Sequence, residues 1–162
     1  MDLLALTVRQ LVAHFAAGDF TVESYARALV TRIEATRDLN AYTSIHLEQI
    51  LAHSRMLDKE RQRGGKLGPL FGLPFAVKDN IDVAGMPTTA GTEALRHNVA
   101  ACSAAVVERL TRAGAFVIGK NNMHELAFGI TNNNMAYGPT RNPHNPDRIA
   151  GGSSGGTAAA VA

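Results

Sequence analysis

Apolar side chains in the first 63 residues recur every three or four positions, which is the spacing of amphipathic helices. Thr7 and Thr21 stand where an N-cap hydroxyl would begin two of these helices, and Gly18 and Gly64 stand where a helix would end. A short run containing Tyr, Thr and Ile lies before the third helix and is typical of a strand. The pattern therefore predicts a short first helix capped by Thr7 and ended by Gly18, a second helix from Thr21 to about Ala35, a third at 47–63 and a strand at 41–45.

After Gly64 the helical spacing gives way to short apolar runs separated by glycine and proline. One run, Phe75–Val77, leads directly into Lys78, so a strand would carry this lysine at its end. Another run at 115–119 follows a predicted helix at 104–113 and is almost entirely apolar, which is typical of a strand buried on both faces. A helix followed by such a strand indicates an α/β fold.

The last part of the chain is rich in amide and glycine residues. Residues 120–129 predict a short helical turn, and residues 131–148 predict a long loop that is either ordered or disordered. Two serines then stand between glycine pairs at Gly151–Gly156, and Thr157 offers a hydroxyl where a helix could begin. This hexamer is either a flexible linker or a structured turn before a helix. In such a turn, the glycines would allow an unusual backbone conformation that positions the two serine hydroxyls. A P-loop is not indicated, because no Gly-Lys-Ser/Thr follows.

The composition and charge of the chain argue against several classes of partner. Sixteen basic and 14 acidic residues are spread along the chain with a formal net charge of +2, so we expect no nucleic-acid partner. No apolar run approaches the roughly 18 residues that span a bilayer, and Met1–Ala17 lacks the plan of a secretory signal, so we expect a cytoplasmic protein with no membrane partner. The single cysteine, Cys102, cannot form an internal disulfide, and the six histidines lack metal-ligand spacing, so we expect no metal site.

The chemistry that these features suggest is a lysine base acting on a serine. Apolar residues precede Lys78, and desolvation would disfavour its charged form, which lets a lysine serve as a base near neutral pH. The Gly-rich turn would supply the hydroxyl of a Ser/Lys system. The alternative for Lys78 is a surface lysine or an ion pair with Asp79 or Asp82.

Five ordered blocks of the chain resemble the amidase signature family. They lie at 72–80, 89–92, 106–115, 119–123 and 138–156, the last leading from Gly138-Pro139-Thr140-Arg141-Asn142-Pro143 into Gly151-Gly152-Ser153-Ser154-Gly155-Gly156. Residues 124–134 are similar to family members that hydrolyse small aromatic amides, such as mandelamide and indoleacetamide hydrolases. The resemblance implies a mixed β-sheet covered by helices. In a single amidase domain, 1–63 would be a helical scaffold and 64–162 the start of the catalytic core.

The resemblance also implies roles for individual residues. Lys78 matches the catalytic lysine, a neutral amine that serves as the base. Ser153 matches the bridging serine, whose peptide bond to Gly152 is cis and which passes protons between the lysine and an attacking serine. Ser154 is the alternative for this relay, and we expect it instead to organise the loop through hydrogen bonds to backbone. Loop support would come from Gly151, Gly152, Gly155 and Gly156, and the reaction would need neither a metal nor an organic cofactor.

The attacking serine of the family, in a later Gly-rich turn, has no match among the 162 residues. The helix-like run at 157–162 also carries no stop signal, so we predict the N-terminal part of a longer enzyme that is inactive alone. The intact enzyme would hydrolyse a small-molecule carboxylic amide to an acid and ammonia. We expect a homo-oligomer, or self-association through exposed core.

Two other functions stay open at this point. The chain could belong to the A subunit of a glutamine-dependent tRNA amidotransferase, which would need glutamine as the source of ammonia and a partner subunit. It could also be a non-enzymatic module that binds an anion at a helix N-terminus.

Overall fold

The computed structural model describes residues 2–65 and 67–162 and has an α/β architecture, as the sequence predicted. Short 3-10 turns occur at Leu3–Ala5, Arg37–Leu39, Glu93–Leu95 and Glu125–Ala127. The helices and strands, in chain order, are α1 (Val8–Ala17), α2 (Val22–Ala35), β1 (Tyr42–Ile45), α3 (Leu47–Gln62), β2 (Pro74–Lys78), α4 (Ala105–Arg112), β3 (Phe116–Asn121) and α5 (Gly155–Val161). Across the described residues, every helix is too short or too polar to cross a membrane.

The chain divides into two compact units. The first contains Met1–Ala35, His46–Phe75 and Glu108–Ile118, and the second contains Thr36–Ile45, Ala76–Val107 and Gly119–Ala162. Each unit is therefore assembled from segments that are distant in sequence. The division into a scaffold at 1–63 and a catalytic core at 64–162 stays a prediction.

The three strands form one sheet in the order β1-β3-β2. β1 is antiparallel to β3, with Tyr42 opposite Asn121 and Ile45 opposite Gly119. β2 and β3 run in the same direction. Leu73 O, just before β2, accepts from Phe116 N at the start of β3, and Asn121 O at the end of β3 accepts from Asp79 N just after β2. The sheet is therefore mixed, and β3 is its central strand.

β3 is buried at five of its six positions, which confirms the predicted strand buried on both faces. It continues two residues beyond the apolar run, through Lys120 and Asn121. The predicted helical turn at 120–129 is thus wrong at its start and reduces to the single turn at Glu125–Ala127. The physical reason is that pairing with β1 satisfies the backbone of these two polar residues, and their side chains find buried partners described below.

Local signals explain the helices of the first unit. Thr7 and Gln10 form a reciprocal capping box at the start of α1, and Gly18 ends the helix with φ of +80°. Phe15 on α1 is fully buried, and its ring meets those of Phe20 and Tyr25 edge-on at centroid distances of 5.4 and 5.8 Å. The predicted end signals of the first helix, Thr7 and Gly18, are therefore confirmed.

The start of α2 has a second cap that comes from a distant residue. Thr21 Oγ1 accepts from Ser24 N at 3.0 Å, as the sequence suggested. In addition, the buried Asp58 carboxylate on α3 accepts from Val22 N at 2.8 Å and from Glu23 N at 2.9 Å. A carboxylate at a helix N-terminus is favoured both by the free N–H groups and by the helix dipole. Asp58 therefore joins α2 to α3 through two charge-assisted hydrogen bonds.

We predict that Asp58→Ala lowers the free energy of unfolding by about 2–3 kcal/mol, because two N–H groups at the buried start of α2 lose an ionised acceptor. Urea denaturation followed by circular dichroism measures this change. Glu60→Ala, at an exposed acid on the same helix, is the matched control and is expected to change stability by less than about 0.5 kcal/mol. Equal effects of the two substitutions would contradict the capping role of Asp58.

Candidate active site

Lys78 and Ser153 meet in the second unit although 75 positions separate them. Lys78 is the last residue of β2, Ser153 lies two residues before α5, and Lys78 Nζ donates to Ser153 Oγ at 2.7 Å. The Gly152–Ser153 peptide bond is cis, as the resemblance implied. The structure thus brings together the two side chains that the sequence analysis singled out.

Burial lowers the pKa of the Lys78 amine below its ordinary value, because desolvation disfavours the ammonium form. A lysine with a lowered pKa is neutral in a larger fraction of molecules near pH 7. Its lone pair can then accept the proton of the Ser153 hydroxyl across the same 2.7 Å. The arrangement is therefore suited to moving a proton between an amine and a hydroxyl.

Asp79, the carboxylate next to Lys78 in sequence, pairs with a different lysine. Its Oδ1 lies 3.0 Å from Lys120 Nζ, and the two side chains are 1% and 0% exposed. Asp82 is exposed, and its carbonyl accepts from Ala104 N. The ion pair that the sequence allowed for Lys78 with Asp79 or Asp82 is therefore not formed among the described residues.

The Gly-rich turn is held in place from several sides, so it is not a flexible linker. Gly151 has φ of +78°, a left-handed conformation that glycine adopts without steric cost. Ser153 O accepts from His124 N at 3.1 Å, Gly155 N donates to Asn132 Oδ1 at 3.2 Å, and Gly156 N donates to Asn122 O at 3.0 Å. Because two of the first N–H groups of α5 already have protein acceptors, the helix N-terminus is poorly suited to an added anion.

Two expectations about the hydroxyls near this turn are corrected. Thr157 does not begin the helix; it is the third residue of α5, and its hydroxyl donates to Asn121 Oδ1 at 3.2 Å. Ser154 is exposed, and within the described residues its side chain makes no capping hydrogen bond, whereas its carbonyl accepts from Ala158 N. The helix begins before the alanine run because the glycine N–H groups find acceptors in distant segments.

Buried asparagines order the loop at 131–148, which decides between the two alternatives left by the sequence. Asn132 Nδ2 donates to Thr140 Oγ1 at 2.7 Å. Asn134 Nδ2 donates to Gly91 O and Met123 O, both at 2.8 Å, and its Oδ1 accepts from two backbone N–H groups of the loop. The amide side chains thus replace the backbone hydrogen bonds that a helix or strand would supply.

Sequence reasoning did not identify the partner of the Asp79 carboxylate, which is Lys120. Its Nζ has three acceptors: Asp79 Oδ1, Pro87 O at 2.9 Å and Thr88 Oγ1 at 3.0 Å. The signal that identified Lys78, a lysine directly after an apolar strand, is present at Lys120 as well. Nothing in that local pattern distinguishes the lysine that meets a serine from the one that meets a carboxylate.

Comparison with known proteins assigns the class. The Amidase family model matches residues 24–162, so the chain belongs to the amidase signature family. The A subunit of the glutamyl-tRNA(Gln) amidotransferase of Lachnospira eligens is 44% identical over 163 residues, which cover 100% of this chain and 34% of that protein. The protein of the same name from Chloroflexus aurantiacus is 45% identical over 162 residues, which cover 99% and 33%. The chain spans about a third of the length of these curated relatives.

Solved structures agree with this assignment. A crystal structure of an amidase matches with 40% identity and a TM-score of 0.90, over 96% of this chain and 36% of that chain. The native peptide amidase from Stenotrophomonas maltophilia matches with 34% identity and a TM-score of 0.85, over 94% and 33%. The mixed sheet and the helices described above are therefore those of amidase signature enzymes.

We predict that Gly156→Ala destabilises the protein, although alanine is normally the better helix residue by about 1 kcal/mol. A Cβ at Gly156 would lie 2.3 Å from Asn122 O and 2.5 Å from Ala41 O, and neither backbone atom can move away easily. The expected loss of unfolding free energy is about 2–3 kcal/mol, measured by urea denaturation.

Ala160→Gly serves as the control for helix propensity in this prediction. Ala160 is exposed on the same helix, so its replacement by glycine should cost only about 1 kcal/mol. Stabilisation by Gly156→Ala would show that helix propensity outweighs the close backbone contact.

Proposed function

We propose that this chain contributes the base and the proton relay of an enzyme that hydrolyses carboxylic amides to an acid and ammonia. The hydrogen bond of 2.7 Å between Lys78 Nζ and Ser153 Oγ is the observation that carries the proposal. Membership of the amidase signature family supports it, as does the lowered pKa of the Lys78 amine. No step of the proposed reaction requires a metal or an organic cofactor.

In this proposal Ser153 relays protons and does not itself attack the substrate. As the attacking serine adds to the amide carbon, its proton passes to Ser153 Oγ, and the Ser153 proton passes to the neutral Lys78 amine. When the C–N bond breaks, the same path returns a proton to the leaving nitrogen, which departs as ammonia. Water then attacks the acyl-enzyme by the same relay, which releases the acid and restores both hydroxyls.

We further propose that the attacking serine lies outside these 162 residues. The four serines besides Ser153 and Ser154 are Ser24, Ser44, Ser54 and Ser103, and none lies in a Gly-rich turn. Ser103 Oγ, for example, accepts from Ala84 N at 3.0 Å. A base and a relay without a nucleophile give little catalysis, because the members of such a triad act as a unit.

We predict that Lys78→Ala lowers turnover by roughly 10²- to 10⁴-fold in the gene product that contains these 162 residues, while the fold is retained. Turnover of the unsubstituted enzyme should rise with pH as Lys78 loses its proton. The midpoint should lie below the ordinary pKa of lysine, because burial lowers the pKa of this amine. Ammonia release from a panel of simple amides, measured across pH, tests both statements.

Two controls accompany this measurement. Lys59→Ala removes an exposed lysine from α3 and should leave turnover unchanged, so near-normal turnover of both lysine variants would refute Lys78 as the base. The purified 162-residue chain should release no ammonia from the same amides. Release by a homogeneous preparation would show that the attacking group lies within these residues.

A second candidate function is the A subunit of a glutamyl-tRNA(Gln) amidotransferase. The names of the relatives from Lachnospira eligens and Chloroflexus aurantiacus favour it, at 44% and 45% identity over at least 99% of this chain. The proposed chemistry would be the same, with glutamine as the amide. The difference would lie in the use of the ammonia and in the presence of partner subunits.

For the amidotransferase candidate, we predict that the gene product co-purifies with other subunits and releases ammonia from glutamine faster than from other amides. Affinity purification from its source cells, followed by mass spectrometry and an ammonia assay with glutamine and simple amides, distinguishes the candidates. A single polypeptide that prefers other amides would contradict the amidotransferase candidate and leave the amide hydrolase in place.

A further inference from the structure

The turn that carries Ser153 is held by a buried asparagine from the preceding loop. Asn132 is 0% exposed, and its Oδ1 accepts from Gly155 N, the first N–H of α5, at 3.2 Å. The backbone of Asn132 also lies against Gly152, where an added Cβ would be 3.0 Å from Asn132 N. Asn132 therefore meets the turn on both sides of Ser153, at the residue before it and at the second residue after it.

The fit between Asn132 and the turn is close. A Cβ at Gly155 would lie 2.6 Å from both Cβ and Cγ of Asn132, so this asparagine occupies the space that a side chain at position 155 would need. Asn132 itself has φ of +57°, a left-handed conformation that asparagine adopts more readily than most residues. Residue 132 therefore combines a turn of the backbone with a side-chain acceptor for α5.

Asn132 is in turn fixed by hydrogen bonds that lead away from Ser153. Its Nδ2 donates to Thr140 Oγ1 at 2.7 Å, and Thr140 Oγ1 donates to Asn40 O at 3.1 Å. Thr140 N also donates to Asn132 O at 3.2 Å. Both side chains are buried, so water competes little for these bonds. The start of α5 is thereby tied, through two side chains, to the segment just before β1.

The proposed relay depends on a short distance that this arrangement maintains. Lys78 Nζ and Ser153 Oγ are 2.7 Å apart, and Lys78 belongs to β2, whereas Ser153 lies in a turn before α5. A displacement of the serine by about 1 Å would lengthen this bond beyond the range of a good hydrogen bond and slow proton transfer. His124 and Asn122 hold the same turn through backbone bonds, whereas Asn132 uses its side chain, which a substitution can remove.

We propose that Asn132 is a positioning residue for the proposed amide hydrolysis: its side chain keeps Ser153 at hydrogen-bond distance from Lys78 by fixing the start of α5. Asn132 acts through Ser153 and exchanges no proton with the substrate. Its effect should therefore appear in the chemical step and should require Lys78. A residue that only stabilises the fold would act whether or not the base is present. The inference rests on the proposed function.

We predict that Asn132→Gly lowers kcat by about 10- to 100-fold and leaves KM within about twofold of its original value, in the gene product that contains these 162 residues. Glycine adopts the left-handed backbone of position 132 without strain, so only the side chain is lost. Ammonia release at several concentrations of the amide that is hydrolysed fastest gives both constants, and circular dichroism verifies the fold. A normal kcat in the folded variant would overturn the proposal, as would a rise in KM alone.

Asn98→Ala is the matched control. Asn98 is exposed, and its Nδ2 donates to Thr88 O at 3.0 Å, so this variant also removes an asparagine side chain that bonds to backbone. The bond joins a segment to residue 88 and not to the turn of Ser153. Both kinetic constants should be unchanged in Asn98→Ala, and a decrease in kcat as large as that of Asn132→Gly would count against the proposal.

The double variant Lys78→Ala/Asn132→Gly separates positioning from general stabilisation. If Asn132 acts through the relay, adding Asn132→Gly to Lys78→Ala should change the residual turnover by less than about twofold. The same factor in both backgrounds would show a purely structural role and overturn the proposal. Near-normal turnover of Lys78→Ala would refute the proposed function itself. Normal turnover of Asn132→Gly beside an inactive Lys78→Ala would refute only the role of Asn132.

Thr140→Val keeps the test decisive if Asn132→Gly does not fold. Valine has nearly the shape of threonine but offers no acceptor to Asn132 Nδ2, so the amide is held less firmly toward Gly155. A decrease in kcat with unchanged KM is expected, and this decrease should vanish when Lys78 is replaced by alanine. An unchanged kcat in folded Thr140→Val would contradict the proposal.

Discussion

The arrangement of the site depends on a close approach of backbones at the start of α5. Gly156 N donates to Asn122 O at 3.0 Å, and a Cβ at this position would overlap the carbonyls of Asn122 and Ala41. Only glycine lets the helix start so near the end of β3. This contact fixes where the preceding turn lies, and hence where Ser153 stands relative to the lysine at the end of β2. Because Gly156 has no side chain, α5 can begin close to β3, and this position of α5 helps to set the distance between Lys78 and Ser153.

Two lysines with similar sequence contexts, Lys78 and Lys120, have different surroundings in the structure. Both follow apolar strand residues, yet Lys120 is enclosed by a carboxylate, a carbonyl and a hydroxyl, while Lys78 meets a single hydroxyl. A buried ion pair contributes little to stability when desolvation is included, but it determines where charge is located. In this protein Asp79 pairs with Lys120 and not with Lys78, and burial lowers the pKa of the Lys78 amine.

Asparagine side chains hydrogen-bond to backbone groups in the loops of the second unit, where no helix or strand supplies these bonds. Asn122, Asn132 and Asn134 are buried, and the side chain of each forms a hydrogen bond with the backbone of another segment. This explains why residues 131–148 are ordered although no apolar pattern predicted an element there. An amide side chain has both donors and an acceptor, so one asparagine can donate to a backbone carbonyl and also accept from a backbone N–H. Whether such a residue is buried depends on segments far away in sequence.

The sequence by itself determined the helices at the start of the chain, the strand that ends at Lys78 and the family. Helical spacing, the caps at Thr7 and Thr21 and the glycine at position 18 act over a few residues, and the ordered motifs are visible without coordinates. Only the tertiary structure decided that β3 includes Lys120, that Asp79 pairs with Lys120, and that the hydroxyl of Thr157 donates to Asn121. These outcomes depend on which distant groups are buried together, and desolvation gives each buried polar group a strong preference for a partner that local spacing cannot reveal.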